Sequence, residues 1–330
     1  MTTTIRWGII GTGKIARTFA EGLGFIDEGV VAAVGSRSLE SAQSFVAEFG
    51  GTPYGSYDEL CGDPNVDAVY IATPHPMHLA NATAALNAGK PVLVEKAFTM
   101  SGDEARALVE LARAKGLFAM EAMWTRFLPH VVAIREIVAS GALGRIVTFE
   151  ADHGKWFAED PTSRLFAPEL GGSALLDLGI YPLSFASMLL GQPNRRLALV
   201  DPAFTGVDGQ CSMVFGYEGG AHAVLTTTSL ARSATRACIT GTEARIEIEG
   251  DFYAPTSFTL IPRVGESTRY TFETPGRGLH YQAQEVARCL DLGLLESPTM
   301  PLDESIAIMD MMTWVMDQLQ PAPGLEVTDL

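Results

Sequence analysis

Five short apolar runs recur along the amino-terminal part of the chain: IRWGII (5–10), VVAAVGS (30–36), DAVYIAT (67–73), PVLVEK (91–96) and LFAMEA (117–122). Between them the apolar positions change to helical spacing, as at 101–115, where Ala105, Leu108, Val109 and Leu111 supply an apolar stripe. Nearly continuous apolar strands alternating with helices predict crossover units and a parallel sheet covered on both faces. The expected first domain is therefore a doubly wound, Rossmann-type α/β unit.

Past about residue 145 the pattern changes to longer strand candidates, GRIVTFEADHGKWF (144–157), QCSMVFGY (210–217), AHAVLTTTSL (221–230), ARIEIEG (244–250) and STRYTFE (267–273). In ARIEIEG, Ile246 and Ile248 alternate with Arg245, Glu247 and Glu249, giving one apolar and one polar face. These segments predict an open, mostly antiparallel sheet in an α+β domain. GGSALLDLGIYPLSFASMLL (171–190) and the stretch 303–319 are the helices expected to cover it. The division is a dinucleotide-binding domain at 1–123 and a substrate-binding and oligomerisation domain at 124–330, whose last helix is able to pack back on the first domain.

At 330 residues, 47% hydrophobic and 19% charged, the chain is long enough for two cores and too apolar for disorder. A net charge of −16 without a dense Lys/Arg run argues against a phosphate-backbone partner, so no nucleic acid is expected. No apolar run reaches the roughly 20 residues of a bilayer span, and no signal peptide is evident at MTTTIRWGIIGTGKIA, so no membrane partner is expected. Cys61, Cys211, Cys238 and Cys289 lie far apart without metal-ligand spacing, which favours a reduced, cytoplasmic protein. His75 and His78 in TPHPMH have no further ligand cluster beside them, so no metal is expected.

Directly after the first run comes GTGKIA, in which Gly11, Gly13 and Ala16 match G-x-G-x-x-G/A at the opening of a helix, with Thr12, Lys14 and Ile15 completing the turn. Glycines there permit a tight turn and close backbone approach, and the helix amino terminus presents N–H groups to a pyrophosphate. NAD-preferring folds place a carboxylate at the end of the second strand to hold the ribose 2′-hydroxyl. This chain has Ser36-Arg37-Ser38 instead, which suits a 2′-phosphate through charge-assisted bonds, so NADP is favoured over NAD. Thr73, Pro74 and His75, with His78, form the expected loop beside the dinucleotide.

Strand ends at the carboxyl edge of a parallel sheet face the ligand crevice, which directs Glu95 and Lys96 toward the nicotinamide. A lysine beside a carboxylate can hydrogen-bond a substrate hydroxyl and help move its proton. Asp177 and Tyr181 stand four apart on a predicted helix and so share a face. A nearby ammonium favours the phenolate, so either Tyr181 or Lys96 can serve as the proton-transfer group.

GTGKIA, ATPHPMH (72–78), EKAF (95–98) and GGSALLDLGIYPL (171–183) together resemble the Gfo/Idh/MocA family of NAD(P)-dependent oxidoreductases over most of the chain. EAMWTRFLP (121–129) and DLGIY (177–181) are most similar to its dimeric dihydrodiol dehydrogenase and NADP-dependent D-xylose dehydrogenase branch. Inositol-dehydrogenase-like members carry Asp-x-x-x-His where this chain has Asp177 and Tyr181. The family's Glu-Lys-Pro becomes Glu95-Lys96-Ala97, a departure at the residue type that most readily takes a cis peptide bond. The resemblance implies that Trp124 and Phe157 lie near nicotinamide and substrate, that Arg126 and Arg164 reach the cofactor, and that one sheet face builds a homodimer. The expected activity is NADP-dependent oxidation of a hydroxyl-bearing carbon of a sugar or polyol, D-xylose or a similar aldose to its lactone, with Asp177 holding a neighbouring hydroxyl. The alternatives are a trans-dihydrodiol dehydrogenase and a non-catalytic NADP(H)-sensing protein.

Overall fold

The computed structural model describes residues 3–319; the tail 320–330, which the sequence division includes in the second domain, lies outside the described residues. The described residues form two compact units, one within 1–129 and 273–309, the other within 130–272 and from 310 on. The single cut at 123/124 read from the sequence thus becomes a discontinuous division, with 273–309 clustering in the first unit.

The first unit contains a parallel sheet of six strands, β1 (Ile5–Ile10), β2 (Gly29–Gly35), β3 (Thr52–Tyr54), β4 (Ala68–Ile71), β5 (Val92–Glu95) and β6 (Ala119–Ala122), in the order β3-β2-β1-β4-β5-β6. β3 is short and partly exposed, and the apolar-run reading passed it over. The strands β4 and β5, and the edge strand β6, are buried at every position, as a sheet covered on both faces requires. Strand order reverses between β1 and β4, which is where such sheets open a crevice at their carboxyl ends.

The helix Lys14–Leu23 packs on this sheet through Ala16, Phe19, Ala20 and Leu23, a spacing of i, i+3, i+4, i+7. Phe19 stacks on Tyr70 of β4 at 4.0 Å between ring centroids and meets Trp7 of β1 edge-on at 5.2 Å. Burial of these aromatic surfaces sets the helix against β1 and β4 and so aims its amino terminus at the switch point.

The second unit contains eight strands, β7 (Ile146–Gly154), β8 (Arg195–Pro202), β9 (Asp208–Gly216), β10 (His222–Thr228), β11 (Ala237–Gly241), β12 (Ala244–Ile248), β13 (Phe258–Pro262) and β14 (Thr268–Tyr270). Their order is β14-β13-β12-β11-β7-β10-β9-β8, antiparallel throughout except for β7 with β10. β12 buries Ala244, Ile246 and Ile248 and exposes Arg245 and Glu247, as its alternation requires. The inner face is covered by the segment Pro168–Leu190, where Phe185 stacks on Phe149 of β7 at 5.4 Å. At 23 residues that segment is long and apolar enough to cross a membrane, contrary to the run-length reading, but 83% of its apolar window is buried inside the protein. It is the core helix of this unit.

Candidate active site

Gly11 sits at φ +107°, and a Cβ there would stand 2.7 Å from the carbonyl oxygen of Ala72 at the end of β4. Only glycine satisfies both the conformation and the close approach. At Gly13 a Cβ would meet nothing within 4 Å, so an open space lies over the helix amino terminus. That helix has no side-chain cap, whereas Ser38, Ser56 and Ser101 each cap the helix they precede. Open space over uncapped N–H groups suits a pyrophosphate by hydrogen bonding and by the helix dipole.

At the end of β2, Ser36 is buried and Arg37 is exposed, and among the described residues no ion pair holds its guanidinium. Ser38 accepts from the Ser41 amide at 3.3 Å and donates its own amide to the Ser36 hydroxyl at 3.3 Å. Its hydroxyl therefore caps the next helix, which leaves Arg37 as the exposed charge at this end of β2. The residues present thus fit a dinucleotide carrying a 2′-phosphate: Gly11 to Ile15 for the pyrophosphate, Ser36 and Arg37 for the phosphate on the ribose. Such a cofactor, when bound, accepts the hydride.

Around the end of β5 several buried groups grip one turn. Lys96 is half-buried, and the Lys96–Ala97 peptide bond is cis. His75 Nε2 lies 3.2 Å from the Lys96 carbonyl. His78 Nδ1 lies 3.0 Å from the Ala97 carbonyl, and its Nε2 lies 2.8 Å from that of Thr73. Asn81 Nδ2 donates to the Thr73 hydroxyl at 3.0 Å. The Phe98 amide donates to Glu121 Oε1 at 3.2 Å.

Three residues expected on the cofactor have partners within the protein. His78 is fully buried between the two carbonyls, and burial outweighs them and depresses its pKa, so in this structure it ties the loop to the turn after β5. Glu95 faces inward, where the Tyr70 hydroxyl donates to its Oε1. Arg126 is buried and gives two bonds to Glu304, at 2.7 and 2.8 Å, and one to the Thr299 carbonyl at 3.2 Å. Its fork is already matched to a carboxylate. Trp124 is buried as well, with the Arg277 guanidinium 5.7 Å from its ring centroid.

In the second unit, Asp177 lies in a π turn, Leu175–Gly179, that leads into the α-helix Ile180–Leu190 bearing Tyr181. Both residues are buried, but the widened turn between them means that the side-by-side placement of i and i+4 in an α-helix does not carry over unchanged. Arg164 binds Asp177 with both guanidinium nitrogens at 3.1–3.2 Å, so the structure joins the residue expected on the cofactor to the one expected on the substrate. Tyr181 packs against Tyr253 at 4.5 Å and His153 at 5.4 Å, and Lys155 Nζ donates to the Tyr253 hydroxyl at 2.6 Å. Phe157 is half-buried against Leu165, Phe166, Ala203 and Val207, while its neighbour Trp156 is exposed.

Sequence reasoning passed over Tyr70, Glu121, Asp208 and Tyr253. Asp208 Oδ2 accepts from the Leu175 amide at 2.6 Å and so holds the start of the π turn; burial pushes its carboxyl up to about 6. These residues come from neighbouring strands and a distant loop, and no local spacing connects them to the residues they hold. For Glu121 one signal was present: a lone carboxylate inside the apolar run LFAMEA.

The family model described as an oxidoreductase family with an NAD-binding Rossmann fold matches residues 5–123, and that of the GFO/IDH/MocA C-terminal domain matches 131–247. The chain belongs to the GFO/IDH/MocA oxidoreductase family. Among curated relatives it is 36% identical to trans-1,2-dihydrobenzene-1,2-diol dehydrogenase of Bos taurus, over 97% of each chain. It is 35% identical to D-xylose 1-dehydrogenase (NADP(+)) of Hypocrea jecorina, over 96% of this chain and 92% of that one. The fold is shared with the aldose-aldose oxidoreductase of Caulobacter crescentus, at TM-score 0.87 and 22% identity over 96% and 97% of the two chains. It is shared too with KijD10, a 3-ketoreductase from Actinomadura kijaniata solved with NADP and TDP-benzene, at TM-score 0.85 and 24% identity over 97% and 99%.

Proposed function

We propose that this oxidoreductase is an NADP-dependent dehydrogenase that oxidises a hydroxyl-bearing carbon of a small polyol, best matched by the anomeric carbon of an aldose such as D-xylose. The observation that carries the reading is the open, uncapped helix amino terminus behind Gly11 and Gly13 beside Ser36 and Arg37, in a chain that keeps Lys96, Asp177 and Tyr181. In this reading either Tyr181 or Lys96 takes the proton of the substrate hydroxyl, and Asp177 holds a neighbouring hydroxyl. The half-buried ammonium and the buried phenol are suited to this because each is shielded from bulk water. A non-catalytic sensor has no use for that set of groups.

The test is the initial rate of NADP reduction over aldoses and cyclic trans-diols, with NAD as control. Turnover of one aldose with NADP is the expected result. Preference for a trans-diol would assign the chain to the chemistry of its dihydrodiol dehydrogenase relatives, and NADPH binding without any turnover would overturn the dehydrogenase reading in favour of the sensor.

The assembly we infer is a homodimer formed by the open face of the second unit's sheet. On that face Leu197 pairs with Val214 and Val214 with Val224, and Leu197 and Leu199 are both 72% exposed. An apolar row on an edge strand is a face that normally meets a partner. Light scattering should give twice the chain mass, and Leu197→Lys should lower it. Four cysteines without a disulfide fit a reducing compartment, and the cytoplasm is our assignment.

A further inference from the structure

We propose that Glu121 is the positioning residue of the turn that carries Lys96, its ionised carboxylate fixing that turn through the Phe98 amide. The inference rests on the proposed role of Lys96. β6 runs beside β5 with Val94 opposite Glu121, so a side chain from β6 reaches the turn just beyond the end of β5. Glu121 is completely buried, and its two oxygens meet two donors: Phe98 N–H at 3.2 Å on Oε1 and Ser305 Oγ at 2.9 Å on Oε2. The charged groups facing it are Arg126, which attracts its negative form, and Glu304, which opposes it.

Three side chains hold the backbone of residues 96–98, and they differ in kind. His75 and His78 meet carbonyl oxygens, while Glu121 alone of the three takes an N–H. A carboxylate accepts more strongly than a neutral acid, so the Phe98 bond depends on the charge of Glu121. Burial pushes that carboxyl up to about 7, which puts the change of charge near neutral pH. Protonation on Oε2 would also set its hydrogen against that of Ser305 until the serine hydroxyl rotates. The turn bearing Lys96 is thus held most firmly above neutrality.

The first experiment needs no turnover: hydrogen exchange at the Phe98 amide of the full chain, expressed as a protection factor between pH 6 and 8. Protection should rise about five- to tenfold across neutrality in the wild type, and in Glu121→Gln it should be lower and flat. Equal protection in the two proteins would overturn the proposal. Should Glu121→Gln fail to fold, Ser305→Ala removes only the second donor and must move the midpoint of the wild-type rise upward; an unmoved midpoint counts against Glu121.

The kinetic arm is kcat against pH with the best substrate. Glu121→Gln should lower kcat about tenfold with both KM values within about twofold, and should lose the ionisation near neutrality. Glu121→Asp, which keeps the charge, should retain that ionisation. Lost protection with an unchanged kcat profile would reduce Glu121 to a structural group and sink the proposal. If the wild type turns over no sugar or diol, the proposed function fails, and the exchange experiment still decides whether Glu121 holds the turn.

Discussion

The two units present their chemistry in different ways. In the first, the turn after β5 is clamped through its backbone by His75, His78 and Glu121, and Lys96 projects from a fixed base. In the second, Asp177 and Tyr181 lie on a helix that starts with a π turn, and the partner of Asp177 is Arg164, whose side chain is 59% exposed. A clamped turn sets one position, whereas the π turn widens the start of the helix and Arg164 reaches the buried Asp177 from the solvent side.

The sharpest way to break this comparison is to remove a reacting group from each side. Lys96→Met and Tyr181→Phe should each lower kcat by roughly 100- to 10,000-fold with NADP binding retained by fluorescence titration; near-normal turnover in both would end the assignment.

Next in size is the stability cost of the buried charge. The folded-state pKa of Glu121, about 7, lies above its ordinary 4.5, so the folded protein holds the extra proton between those values. Its contribution to stability is fully present below about pH 4.5 and is lost as pH rises through about 7, an amount of roughly 3 kcal/mol. Chemical denaturation at pH 5 and pH 8 should show the wild type losing stability relative to Glu121→Gln over that span. The same charge strengthens the bond to Phe98 while costing the fold as a whole, because the hydrogen bonds recover only part of the desolvation.

Arg37→Ala should weaken NADP binding about 10- to 100-fold and leave NAD nearly unchanged, the loss expected for charge-assisted bonds to a phosphate. The glycine pair separates fold from ligand in the same region. Gly11→Ala should destabilise by roughly 1–3 kcal/mol, from a strained φ and the Ala72 carbonyl in its way. Gly13→Ala, with nothing near its Cβ, should melt like the wild type and lose dinucleotide affinity. The smallest effect belongs to the second unit: Arg164→Ala should change unfolding free energy by no more than about 1 kcal/mol, since the pair is largely exposed on the arginine side.

Where side chains repeat with a local period, the chain alone determined the outcome. The apolar runs of the first unit, the alternation in β12 and the glycines after β1 follow from steric and burial rules acting within a few residues. Those rules made the doubly wound sheet, the open sheet and the dinucleotide turn legible, and with them the family. β8, β11 and β13 were less legible, since their apolar residues are few or face outward, as at Leu197 and Leu199.

Tertiary structure alone decided which charged groups are available to chemistry and which are taken. Glu95 turned to Tyr70, Arg126 to Glu304, Arg164 to Asp177 and His78 to two carbonyls. Glu304 lies 178 residues from Arg126, and Ser305 lies 184 from Glu121. A residue type states what bonds a side chain can make. Which of them it makes depends on what packing brings within hydrogen-bonding distance after water has been excluded, and no spacing along the chain encodes that.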